Sequence, residues 1–317
     1  MISATLQLVA RRPCAPIAGL LGVLLAGCSS APLIADPEAA LSAAEAALTD
    51  GRAQDAVAIL EPLGAEAYTG QQLERFKLNL ARGMAASGDL WDAFQLIRDF
   101  EEEHPFAALR GEIQDLEYEI GERLITSDWR FLFFASDEDD GRVVLEHFQV
   151  RYPQHPAAAD ALRLLGEKAF RERQWEQARE RFGRLLLKHP DSEWVPLARF
   201  RIAIAAFESL EGPAYDLRSL VRAHNELRDF LGQGVENPGF ATTAREALAT
   251  VREWLGEKHL LIADFYRRVG SPAGSELHLA RAAQAFPDTA AGQRAAEQMG
   301  AVTGAGVAPA TGGAGGQ

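Results

Sequence analysis

Between residues 37 and 299 apolar side chains return three and four positions apart within alanine-, leucine- and arginine-rich stretches. Gly, Pro or Asp breaks these stretches every ~12 to 18 residues, and no competing run alternates apolar and polar as a strand does. The spacing predicts an all-α chain of six antiparallel helix pairs, over residues 38–63, 70–103, 107–152, 157–188, 194–232 and 240–285. A last helix over 288–299 is expected to close the array.

The pairs share a period. Ala159 to Ser192 spans 34 residues, with Leu162, Leu165, Gly166, Ala169, Ala178, Phe182 and Pro190 at fixed offsets. These are the large, small, aromatic and helix-ending positions of a tetratricopeptide repeat, which this segment resembles. The expected packing follows: Gly166 and Ala178 are small where the two helices cross, Phe182 fills the space toward the next helix, and Pro190 stops the second helix. Asp191 and Ser192 are placed to cap the following one. His189-Pro190 repeats as His155-Pro156, 34 residues earlier, and more loosely as His104-Pro105 and Phe286-Pro287. A non-repeating bundle shares the helical period but has no reason for this recurrence. The fold expected is a tetratricopeptide-like solenoid over 37–299.

The first 28 residues are different. Arg11 and Arg12 precede an apolar run from Ala15 to Ala26, which reads as a secretory signal over residues 1–27. As a helix the run covers ~18 Å, short of the ~30 Å hydrocarbon core of a bilayer. It ends Leu25, Ala26, Gly27, Cys28, a tetrad that resembles the lipobox of bacterial lipoproteins. In those proteins cleavage precedes the cysteine, which is then acylated on sulfur and amine, so Cys28 is the expected lipid attachment site and membrane anchor. Ser29 follows where an aspartate commonly retains such proteins at the inner membrane; outer-membrane attachment is implied. Residues 28–36 are a short tether, and the Gly- and Ala-rich stretch 300–317 is too poor in large apolar groups to pack.

Composition removes several function classes. With 45 acidic and 32 basic side chains the net charge is -13, and it becomes -15 once residues 1–27 leave with Arg11 and Arg12. Nucleic-acid binding, which needs a basic face, is not expected. Cys14 and Cys28 are the two cysteines, so the mature body has neither disulfide framework nor thiolate metal site. Phosphate loop, serine elbow, paired metal histidines and dinucleotide glycines are absent as motifs. We expect no enzyme, no cofactor, no metal and no small-molecule substrate. Asp137 to Asp140 before Gly141 fails as a calcium loop, because its twelfth position is His147; it reads instead as the acidic start of a helix from Arg142. His104, His155 and His189 are expected at helix C-termini, near free carbonyls. Trp175 and Trp254 are expected between helices, and Trp194 remains open as a partner anchor. The groove-facing candidates for an extended peptide or partner helix are Asp160, Arg163, Glu167, Phe170 and Arg171.

The C-terminal half carries a closer resemblance. Residues 182–194 read FGRLLLKHPDSEW, and Ala263-Asp264-Phe265-Tyr266, Gly270 and Phe286-Pro287-Asp288-Thr289 follow in order. From about 140 to 299 the chain resembles the BamD (YfiO) family of outer membrane assembly lipoproteins. That resemblance implies a scaffold of the β-barrel assembly machinery, binding a BamA-like subunit through its C-terminal repeats and unfolded outer-membrane proteins through its N-terminal ones. Residues 37–130 fit only the general repeat, and His104-Pro105 to His155-Pro156 is 51 residues. A repeat lipoprotein of another envelope machine, for pilus assembly or cell-wall synthesis, shares every feature except the C-terminal match.

Overall fold

The computed structural model describes residues 36–127 and 137–305. The signal segment, Cys28, nearly all of the tether and residues 306–317 lie outside these.

Among the described residues there are thirteen α-helices and no strand: α1 Pro37–Thr49, α2 Ala53–Leu60, α3 Gln71–Ser87, α4 Leu90–Glu103, α5 Arg110–Thr126, α6 Asp137–Arg151, α7 Ala158–Arg171, α8 Trp175–Lys188, α9 Val195–Glu208, α10 Leu217–Gly232, α11 Pro238–Arg268, α12 Pro272–Ala285 and α13 Ala290–Ala305. They pack as successive pairs, α1/α2 to α11/α12, with α13 against both α11 and α12. The fold is an all-α helical-repeat array.

Local chemistry sets the helix ends. Asp36 caps α1 by accepting the Ala39 amide at 2.9 Å, with Pro37 as first helical residue. Asn237 and Pro238 start α11 in the same way, the Asn237 side chain accepting from the Gly239 and Phe240 amides. Gly88 ends α3 at φ 105°, a left-handed conformation that any Cβ would strain.

Three expectations are corrected. Helix α6 begins at Asp137, so the acidic run forms its first turn rather than preceding it. Helix α13 continues to Ala305, past the expected end at 299, because the residues that follow Met299 include no helix-breaking proline before Pro309. Asp191 does not cap α9 through its side chain; Ser192 Oγ instead accepts the Trp194 amide at 3.2 Å, in the turn before the helix.

The crossings are tight where small residues were expected. A Cβ on Gly166 would lie 2.8 to 2.9 Å from three carbons of the Phe182 ring, so glycine lets the aromatic face lie flat on α7. Ala178 and Phe182 are wholly buried beside it, while Pro190 is exposed just after α8, which His189 terminates. Helices α5 and α6 meet more closely still. A Cβ on Gly141 would lie 2.4 Å from the Ile125 backbone nitrogen.

The two layers of the array differ. Each first helix approaches the first helix of the next pair: α1/α3, α3/α5, α5/α7, α7/α9 and α9/α11. The second helices α6, α8 and α10 reach one another through long side chains: Arg181 to Glu146 at 2.6 Å, Arg184 to Gln149 at 2.8 Å, and Arg179 to Glu226. Closer spacing of the first helices makes theirs the inner, concave layer.

Candidate functional site

The inner layer brings together four of the five groove residues named from sequence. Asp160, on the first turn of α7, accepts a hydrogen bond from Tyr118 Oη of α5 at 2.5 Å and two from Arg163, at 2.5 and 3.0 Å. The Arg163 guanidinium lies over the Trp194 ring, 4.4 Å from its centroid, which makes that tryptophan a lid on its own chain's cation. One turn on, Glu167 accepts two bonds from Arg201 of α9 at 2.7 and 2.9 Å, and Arg201 stacks over Phe170 at 4.4 Å. These side chains are half-buried and bound to neighbouring repeats; they are not a free solvated face. Arg171 lies apart from the ladder, exposed at the end of α7.

Burial and the bond to Asp160 push the Tyr118 hydroxyl far above the ordinary tyrosine range, so it stays a donor. A cleft of about 680 Å³ opens beside the ladder, lined by Glu122, Asp160, Arg163, Lys188, Asp191 and Trp194. It is open and mixed in charge, and His189 and Ser192 also line it.

The second surface is the hairpin of α11 and α12. Leu261, Phe265 and Val269 stand at i, i+4 and i+8 along the end of α11, each more than half exposed, and Leu277 of α12 is also exposed. Arg267 and Arg268 flank the stripe and both pair with Asp264. A cleft of about 400 Å³ beside it is lined by Pro213, Leu260, Leu261, Arg267, Arg294 and Gln298.

The residues carrying the family resemblance build this hairpin. Ala263 is buried in the small core that α11 shares with α12 and α13, with Leu279, Ala282 and Ala295. Tyr266 stacks on His278 at 5.7 Å and 19°, and Gly274 leaves room for it, since a Cβ there would meet the Tyr266 ring at 2.6 Å. Gly270 turns the chain at φ 75°. In the Phe286 to Thr289 segment the Thr289 hydroxyl donates to the Phe286 carbonyl at 2.8 Å and accepts the Gly292 amide at 3.0 Å, closing α12 and opening α13. Asp288 ties the same turn to Arg252.

The other singled-out residues make contacts within the array. Trp175 meets Phe170 edge-on at 5.1 Å, and Trp254 stacks on Phe207 at 5.9 Å. His104 and His189 terminate α4 and α8. His155 lies beyond the end of α6, where its ring meets Asp115 at 3.2 Å and accepts the Ala157 amide at 3.2 Å, so carbonyls are not its partners. Asp139 pairs with Lys168 at 3.5 Å.

Two part-buried titratable pairs were not legible beforehand. Wholly buried Glu117 of α5 meets His147 Nδ1 of α6 at 2.7 Å, with Glu101 and Arg151 acting on both. Burial pushes the Glu117 carboxyl up, and the bond from Glu117 pushes the His147 imidazole up. In the hairpin, His259 Nδ1 and His278 Nδ1 are 3.0 Å apart, and burial holds His259 down to about 4 and His278 below its usual value.

Among the described residues no group of three or more His, Cys, Asp or Glu converges as a metal cage, and no helix is long and apolar enough to cross a membrane. No known family model matches the chain, and no curated protein matches it.

Proposed function

We propose that this protein is a non-enzymatic scaffold of the BamD type, held at the periplasmic face of the outer membrane by acylated Cys28. It assembles β-barrel proteins through protein contacts. A BamA-like subunit docks on the α11/α12 hairpin, and unfolded outer-membrane proteins lie along the inner layer. The observation that carries this reading is the exposed Leu261, Phe265 and Val269 stripe on a hairpin built from the residues of the family resemblance. A contiguous apolar stripe beside paired charges suits a partner.

The test is co-purification from detergent-solubilised envelope. Full-length protein should bring down a BamA-like subunit, and the double variant Leu261→Asp, Phe265→Asp should lose it while keeping its helical circular dichroism. A wild-type pull-down that instead returns pilus or cell-wall components, with no barrel subunit, assigns the scaffold to another envelope machine. Anchoring is checked separately: Cys28→Ala should abolish fatty-acid labelling and release the protein from membranes.

A further inference from the structure

Beneath the exposed stripe, α11 and α12 face each other through two imidazoles. The two Nδ1 atoms are 3.0 Å apart and the ring centroids 5.2 Å. The difference is the sum of two ring radii, so both nitrogens lie close to the line joining the ring centres and their in-plane lone-pair directions point at each other. As neutral rings, one Nδ1–H donates to the other Nδ1.

We propose that this pair is a two-coordinate site for a soft monovalent cation, Cu⁺, held linearly between His259 Nδ1 and His278 Nδ1. Ligand count is the first reason. No third His, Cys, Asp or Glu converges here among the described residues, so the four ligands of a zinc site or the six to eight oxygens of a calcium site are not on offer. Imidazole nitrogen suits copper, and two opposed nitrogens match the low coordination number of its monovalent state.

Charge is the second reason. Arg281 is a charged side chain whose field reaches both rings. A divalent ion would carry twice the repulsion of a monovalent one. The surroundings also favour a small shell: Tyr266 stacks on His278, and the Phe286 ring lies 6.4 Å from His259.

A metal–imidazole bond is about 2 Å long, so a linear pair places its nitrogens about 4 Å apart. The rings must separate by roughly 1 Å, which side-chain rotation can supply. Binding is proton-neutral: the ring protonated at Nδ1 transfers that proton to its own Nε2 through solvent, and both rings end as neutral Nε2–H imidazoles. Copper keeps its oxidation state.

The experiment uses the full-length chain with Cys14→Ser and Cys28→Ser, because thiolates compete for the same ions. Ag⁺, and Cu⁺ under ascorbate, are titrated against a chromophoric chelator. One equivalent should bind, and X-ray absorption should show two nitrogen neighbours at about 2 Å. His259→Gln and His278→Gln, each on that background, should bind that equivalent at least tenfold more weakly while circular dichroism stays helical. Equal binding by a folded variant, a shell of three or more ligands, or no stoichiometric binding by the parent would overturn the assignment. Should both variants misfold, the absorption spectrum of the parent decides.

Discussion

At the scale of single residues, two glycines one repeat element apart should respond oppositely to one methyl group. A Cβ at Gly166 collides with the Phe182 ring, whereas nothing lies within 4 Å of a Cβ at Gly183, in the middle of α8. Gly166→Ala should therefore cost about 1–3 kcal/mol by overpacking, and Gly183→Ala should add about 0.5–1 kcal/mol by restricting the unfolded chain. Paired chemical denaturation measures both, and a stabilised Gly166→Ala would contradict the crossing. The Glu117 and His147 pair sets a pH dependence. Both groups have raised values in the fold, so their stabilisation is full below the unfolded values of 4.5 and 6.5 and is lost as pH rises through the folded ones. His189, His224, His259 and His278 are held low and act in the opposite sense, losing stabilisation as pH falls. Comparison with Glu117→Gln isolates the pair: the melting temperature of wild type minus that of the variant should fall as pH rises above 4.5 and on past 6.5. A flat difference would show that the pair does not titrate there.

At the scale of helices, the α5/α6 junction is less tolerant than the α7/α8 crossing. The atoms facing Gly141 are backbone atoms of Ile125, which cannot rotate away as a side chain can. Gly141→Ala should cost more than Gly166→Ala, about 3 kcal/mol or above, and should shift the amide spectra of α5 and α6 first. Sequence periodicity located every helix pair, because caps such as Asp36 and Asn237 and stops such as Gly88 act within a few residues of the ends they set. It could not give Gly141 its role, because the contact closes across residues 128–136, and an insertion hides which residues face each other. The groove shows the same limit. Repeat register put Asp160, Arg163, Glu167 and Phe170 along α7, but Tyr118, Trp194 and Arg201 bind them from neighbouring segments and became visible only once the pairs were stacked. His259 and His278 carried a usable signal, an inward-facing histidine on each arm of a hairpin, that lay outside any repeat position.

For the molecule as a whole, contacts run mainly between adjacent pairs, so damage should stay local. Phe76 stacks on Tyr68 at 4.5 Å within the core that joins α1, α2 and α3. Phe76→Ala should cost about 3–5 kcal/mol locally and raise amide exchange from α1 to α3, while protection in α11 to α13 stays at its wild-type level. Loss of protection at both ends would mean that the array unfolds as a single unit. The unequal layers have a mechanical consequence. First helices in direct contact behave as a line of nearly fixed length, whereas α6, α8 and α10, joined by arginine bridges, form an extensible one. Partly exposed ion pairs are worth about 1 kcal/mol or less, close to thermal energy. The array is thus a spring that flexes about its inner line, widening or narrowing the outer gaps.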